Sequence, residues 1–288
     1  MEKRFVLRGA LVGALGGFLA FLFARVFAEP QIQQAVDYES ARDAAQDALD
    51  KAAGLPVAAG GPDVFSRTVQ ANVGIGVGMI FFGVAMGLLF SVVYTICLGR
   101  VGKIGPRTLS LLVAGGGFVG LYLVPFLKYP ANPPAIGHEE TIGTRSTLYL
   151  VMVGASVISL VAAGWLGQRL SRRFGAWNAT LLAGAAFVVV IGVVMVLLPS
   201  LGSLSYNVAE YGKHATETPL PLTDPSGKIV FPGFPADVLS DFRVYSVLAQ
   251  AILWSTIGLS FAPLAERLLV PREQRTPTAT PTPVGVTV

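Results

Sequence analysis

The chain has 288 residues, of which 53% are hydrophobic and only 13% charged, and its formal net charge is +4. A soluble domain carries about 25% charged residues, so this chain has too few charges to cover a water-facing surface. The basic residues punctuate apolar runs instead of clustering, which argues against a nucleic-acid-binding protein. The one cysteine, Cys97, excludes an internal disulfide. We therefore predict an all-α, polytopic integral membrane protein in a lipid bilayer.

Six apolar stretches are long enough to cross a membrane, which takes about 20 residues at roughly 1.5 Å of rise each. They are 5–28, 73–98, 108–127, 147–167, 177–198 and 244–269. We treat residues 1–270 as one helical transmembrane domain, and we expect the Pro/Thr-rich tail, 271–288, to be disordered. No acidic, basic or histidine residue lies at the centre of a span. Coordination of an ion there would need hydroxyl, carbonyl, methionine or asparagine groups.

The first span could instead be a signal peptide, because the chain starts with the basic sequence MEKR and has VFA at 26–28. Its apolar stretch is longer than the usual core of roughly 7–15 residues, so we expect it to be retained. Glycines at four-residue spacing favour close helix packing, and they occur at 9, 13 and 17, at 74 and 78, and at 83 and 87. Three glycines at 115–117 indicate either close packing, which we prefer, or a broken helix.

The segment after the first span has a helical pattern of its own. Residues 32–53 combine alanines with five acidic side chains, Asp37, Glu39, Asp43, Asp47 and Asp50. This alanine-rich spacing favours a helix, which GLP at 54–56 would end. The preferred interpretation is a solvated amphipathic helix lying on the bundle. The alternative is an acidic antechamber that concentrates cations.

The distribution of charge predicts the orientation of the chain. With the N-terminus in the cytoplasm, the inner segments hold 12 basic and three acidic residues, and the outer segments hold eight basic and 14 acidic residues. Lys and Arg are enriched in cytoplasmic loops, so we expect a multi-pass protein with both termini in the cytoplasm. Two loops, 129–145 and 203–243, then lie outside. Their many prolines restrict the backbone and predict an ordered outer cap.

Motifs for enzyme chemistry are absent from the sequence. It has no phosphate-binding GxxxxGK[ST] loop, no cysteine pair, and no HExxH or GxSxG motif, so we predict neither nucleotide binding nor an enzyme. The outer loops do contain His138, Glu139, Glu140, His214 and Glu217. Imidazole together with carboxylate suits divalent cobalt, nickel, zinc or iron, so we predict that these residues form a metal site. The alternative is that both histidines are simply solvated.

Four stretches resemble signatures of CbtA, a family of proposed cobalt transporter subunits. They are FAEP at 27–30, YPANPPAIG at 129–137, HATETPLPL at 214–222 and FPGFPADVL at 231–239. The resemblance covers about residues 1–270 and leaves out only the tail. The family is described with about five spans, one fewer than the six predicted here.

The resemblance implies a membrane protein that takes up cobalt across the bacterial inner membrane for cobalamin synthesis. Cobalt would be the transported ion, and no bound cofactor is expected. The resemblance also implies a small partner subunit with one span and a histidine-rich end, which would supply the obvious metal ligands. The alternative function is a non-transporting membrane scaffold whose outer cap binds a partner protein.

Overall fold

The computed structural model of the protein describes residues 2–57, 66–102, 104–212 and 216–269. Its elements are α1 (Glu2–Phe27), α2 (Glu29–Ala52), α3 (Arg67–Cys97), α4 (Pro106–Lys128), α5 (Ile142–Leu197), α6 (Ser205–Tyr211), β1 (Leu222–Thr223), β2 (Ile229–Phe231) and α7 (Ala236–Leu269). Five described helices, α1, α3, α4, α5 and α7, are long and apolar enough to cross a membrane. The predicted all-α, polytopic membrane fold is confirmed. The tail, 271–288, for which disorder was predicted, lies outside the described residues.

The count of five helices and the prediction of six spans differ because of one helix. Helix α5 has 56 residues but contains a single non-helical residue, Gly175, at φ 75° and ψ 164°. The two arms on either side of Gly175 pack against each other, since Met152 and Ile191 share one buried cluster. A Cβ on Gly167 would also lie 3.4 Å from the Cβ of Ala183. Helix α5 is therefore a hairpin, and its arms contain the fourth and fifth predicted spans.

Helices α1 and α3 approach each other through glycines, as their spacing predicted. A Cβ on Gly13 would lie 2.9 Å from the Cα of Gly87, and one on Gly83 would lie 2.8 Å from the Cα of Gly17. Real Cβ atoms do not approach backbone atoms this closely, so only glycine fits at this crossing. The contact ties the first span firmly to the bundle, and the retention of this span in the mature protein stays a prediction.

Two other glycine expectations have different outcomes. Close packing at Gly74 and Gly78 was predicted wrongly, because a Cβ on Gly78 would meet no described atom within 4 Å. The structural reason is that Gly78 borders a cavity, also lined by Gly17 and Ala20 of α1, and does not face a packed helix surface. In α4 the chain stays helical through 115–117 and continues into a π-helical turn, Phe118–Leu123. A Cβ on Gly117 would lie 2.5 Å from the ring of Trp254, so close packing was the right interpretation there.

A cluster of aromatic rings closes the bundle on the side away from the cap described below. Phe261 of α7 contacts the rings of Phe90 and Tyr94 at centroid distances of 5.0 Å each, and Phe5 of α1 packs beside them. All four side chains are buried. Helices α1, α3, α4 and α7 share this core, whereas the α5 hairpin packs on the second half of α4 through Val124 and Met152.

The connections at the opposite end form an ordered cap, as predicted. We define the cap as α2, residues 129–141 and the described part of 199–235. Tyr38 of α2 donates a 2.9 Å hydrogen bond to the carbonyl oxygen of Pro232, and its ring meets Phe234 edge-on at 5.1 Å. Ile136 is buried in the same cluster. The predicted helix at 32–53 is present as part of α2, and it packs on the other two pieces of the cap.

Candidate metal site

A pocket of about 770 Å³ opens in the cap beside α2. We call it the cap pocket. The proline-rich loop 129–138 forms most of its wall, and Glu39, His138, Glu139, Arg145 and Tyr149 also line it. The loop is held in place, because Tyr129 donates a 2.9 Å hydrogen bond to the carbonyl oxygen of Pro199. Its backbone is held firmly enough to keep Ala135 at a positive φ of 76°, which costs energy for any residue with a Cβ.

Glu39 brings the acidic face of α2 to this pocket. The pKa of its carboxyl is raised, first because surrounding protein removes part of its hydration, and then because Asp43 and Glu139 place negative charge nearby. Mutual repulsion among carboxylates is relieved when a cation binds between them. The sequence had offered an acidic antechamber only as the less favoured alternative for this helix, and the structure places one of its carboxylates at the pocket wall.

The three neighbouring residues predicted as ligands have different surroundings. His138 is half-buried and lines the cap pocket, whereas Glu139 and Glu140 are exposed. The turn Glu139–Thr141 begins here, and the hydroxyl oxygen of Thr141 lies 2.9 Å from the carbonyl oxygen of His138. Glu139 lines the pocket and Glu140 is not among its lining residues. His138 and Glu139 are therefore brought to one wall together with Glu39.

Glu217 is buried and pairs with a half-buried arginine that the sequence did not suggest. Its side chain is 0% exposed and forms an ion pair of 3.1 Å with Arg145, from Nη1 to Oε2. Asn207 donates a 3.0 Å hydrogen bond to Oε1 of the same carboxylate, and Thr141 donates another. Gly137 fits beside the pair, since a Cβ there would lie 2.7 Å from Nη1 of Arg145. The ion pair and the hydrogen bond from Thr141 together clamp the start of α5 and the loop 129–141 to the later loop of the cap.

The other predicted ligand, His214, lies outside the described residues. Among the residues that are described, no three His, Cys, Asp or Glu side chains form a group that could hold a metal ion. The metal site at His138, Glu139, Glu140, His214 and Glu217 stays a prediction. The structure brings His138 and Glu139 to the cap pocket with Glu39, and it gives Glu217 a clamping role of its own.

The comparisons with known proteins assign the chain to a family. The family model described as "Probable cobalt transporter subunit (CbtA)" matches residues 2–266. No curated protein and no solved structure matches the chain significantly. The match takes in every described helix almost to the end of α7, including all of the cap. The chain therefore belongs to the CbtA family of probable cobalt transporter subunits.

Proposed function

We propose that this protein is the membrane subunit of a cobalt uptake transporter that supplies cobalamin synthesis. The observation that carries the proposal is the cap pocket, in which Glu39, Glu139 and His138 lie above a bundle of apolar helices. Carboxylate and imidazole groups suit Co²⁺, which is of intermediate softness. Carboxylates at the mouth of a membrane protein also raise the local concentration of cations. The chain would act in binding and passage and not as an enzyme.

A second subunit would supply histidine ligands, of which this chain has few. The family description is of a transporter subunit, and the whole sequence contains only two histidines. We propose that the partner is a small protein with one membrane span and a histidine-rich end. Its imidazoles would supply metal ligands, because no three His, Cys, Asp or Glu side chains among the described residues form a group that could hold a metal ion. Metal transfer would then occur between the partner and the cap pocket.

The proposed membrane is the bacterial inner membrane, with both termini in the cytoplasm. The charge distribution supports this orientation, because the basic loops lie at the end opposite the cap. At that end Arg107 forms a 2.6 Å ion pair with Glu266, and Arg173 at the turn of the α5 hairpin stacks over Phe174. The cap with its acidic pocket would face the outside, where the metal is captured.

Thiol labelling in cells tests this orientation. In a Cys97→Ser background, Ser226→Cys on the exposed β1–β2 turn should react with an impermeant thiol reagent in intact cells. Ala176→Cys, exposed at the turn of the α5 hairpin, serves as the matched control and should react only after permeabilisation. The reverse pattern would invert the proposed topology.

Transport itself is tested in liposomes that contain a cobalt-sensitive dye. The purified protein, with or without the small histidine-rich partner, should give Co²⁺ influx above that of empty liposomes. The alternative function, a scaffold whose cap binds a partner protein, is favoured by the clamped architecture around Glu217. No influx under either condition would decide for the scaffold.

The histidine variants test whether the two loops share one ion. If His138 and His214 bind the same Co²⁺, either alanine substitution should weaken uptake by one to two orders of magnitude, about 1.4–2.8 kcal/mol. The double variant should lose little more than either single variant, because a shared site is already broken by the first loss. Uptake is measured at matched membrane expression. Near-normal uptake by the double variant would place the metal ligands elsewhere, for example in the partner.

A further inference from the structure

Two smaller cavities continue from the cap pocket into the bundle. The middle chamber has a volume of about 430 Å³ and shares Ala131 and Pro134 with the wall of the cap pocket. The inner chamber, about 230 Å³, shares Met79, Ala249 and Gln250 with the middle chamber. The two smaller cavities lie among α1, α3 and α7, and shared wall residues link all three cavities in order of decreasing volume.

Two residues that line the middle chamber each have a buried polar atom without a described partner. The hydroxyl of Tyr122, in the π-helical turn of α4, and Oε1 of Gln250 have no hydrogen-bond partner among the described residues. Both residues line the chamber. A buried polar atom left without a partner costs about 1–3 kcal/mol, so such atoms point to water or to a ligand. Met79 of α3 lines the same space.

The charge around the chamber is compatible with a cation. Arg67 is the one formally charged residue among those that line the middle chamber in the described part of the chain. It forms an ion pair with Glu29, whose side chain is only 7% exposed. Because the two charges offset each other, Arg67 does not present an uncompensated positive charge to an ion in the chamber.

We infer that these chambers are the route of the transported cation, and that Tyr122, Gln250 and Met79 are where it exchanges water for protein ligands. This inference rests on the proposed function. A carbonyl oxygen, a phenol oxygen and a thioether can all coordinate a partly hydrated divalent transition metal. The described wall places no carboxylate there, so the ion is held weakly, as passage requires. Beyond the inner chamber, the ring cluster of Phe90, Tyr94 and Phe261 closes the route.

The route is tested by the reaction of cysteines on α7 with a charged, water-soluble thiol reagent. Ser246 and Ala249 line the middle chamber, while Leu248, on another face of the helix, is 43% exposed along the apolar surface. In a Cys97→Ser background, Ser246→Cys and Ala249→Cys should react, because thiolates form in water-filled space. Leu248→Cys should react at least tenfold more slowly, the matched control for a lipid-facing position. Co²⁺ should slow the reaction at the first two positions.

Uptake measurements separate this inference from the proposed function. Gln250→Leu and Tyr122→Phe should each lower Co²⁺ uptake roughly tenfold, the size expected when an ion loses one polar ligand. Tyr206→Phe, at an exposed tyrosine of α6 that lines none of the three cavities, should keep wild-type uptake. Wild-type protein that transports while Ser246→Cys and Ala249→Cys are unreactive, or unaffected by Co²⁺, would overturn the route. Wild-type protein that does not transport would instead overturn the proposed function.

Discussion

Replacing Arg145 with methionine is expected to lower the free energy of unfolding by about 3–5 kcal/mol, the usual cost of leaving a buried charge without its partner. Glu217 is fully buried, and Arg145 carries the one positive charge that the structure pairs with it among the described residues. Thr141 and Asn207 would still donate hydrogen bonds to the carboxylate, but they carry no charge. Thermal unfolding in detergent, followed by circular dichroism, measures the loss.

A second substitution identifies the cause of this loss. Adding Glu217→Gln to Arg145→Met removes the uncompensated charge and keeps an acceptor for Asn207 and Thr141, so most of the stability should return. Arg42→Met is the matched control, since Arg42 makes a 3.1 Å hydrogen bond to Leu220 at an exposed position. Its cost should stay below about 1 kcal/mol. Equal losses for Arg42→Met and Arg145→Met would contradict a special role for the buried ion pair.

Gly83→Ala is expected to destabilise the bundle by about 1–3 kcal/mol, the range for overfilled packing. The new methyl group would lie 2.8 Å from the Cα of Gly17, and backbone atoms of two packed helices cannot yield as a flexible side chain can. The helices must move apart along their whole crossing. Folded yield after detergent extraction and the unfolding midpoint both report the effect.

Gly78→Ala provides the comparison within the same helix. Its Cβ would meet no described atom within 4 Å, so this substitution should leave stability unchanged or slightly raise it through better helix propensity. If Gly78→Ala were as harmful as Gly83→Ala, the effect would reflect the general need for glycine in α3 and not the crossing with α1.

The helices were predictable because a membrane imposes a simple length and composition rule on each of them. The faces by which the helices pack against each other were harder to predict from the sequence. Gly83 and Gly87 have the same spacing as Gly74 and Gly78, yet only the first pair meets α1. Spacing places two residues on one face of a helix, but the partner that approaches this face is set by the tertiary arrangement. The two predicted spans 147–167 and 177–198 likewise implied a break between them. They did not indicate that the break is confined to one residue, Gly175.

The candidate site was predictable only in part. His138 and Glu139 were found because they are consecutive and lie in a polar loop between two spans. Glu39 was visible only as one of several acids on a helix, and nothing in the sequence ranked it above Asp43. The pairing of Arg145 with Glu217 joins residues on either side of a whole hairpin. Such long-range contacts depend on how the connections fold over one another, which local pattern does not encode.

The clamp between Arg145 and Glu217 also fixes the order in which the cap is built during synthesis. Arg145 lies in the first turn of the 56-residue α5 hairpin and Glu217 lies beyond its end, so both arms must leave the ribosome before the charges can meet. The hydrogen bond from Tyr38 to Pro232 forms later still, because Pro232 is synthesised just before the last helix. The nascent chain therefore passes through a stage with most spans in place and the cap unfinished.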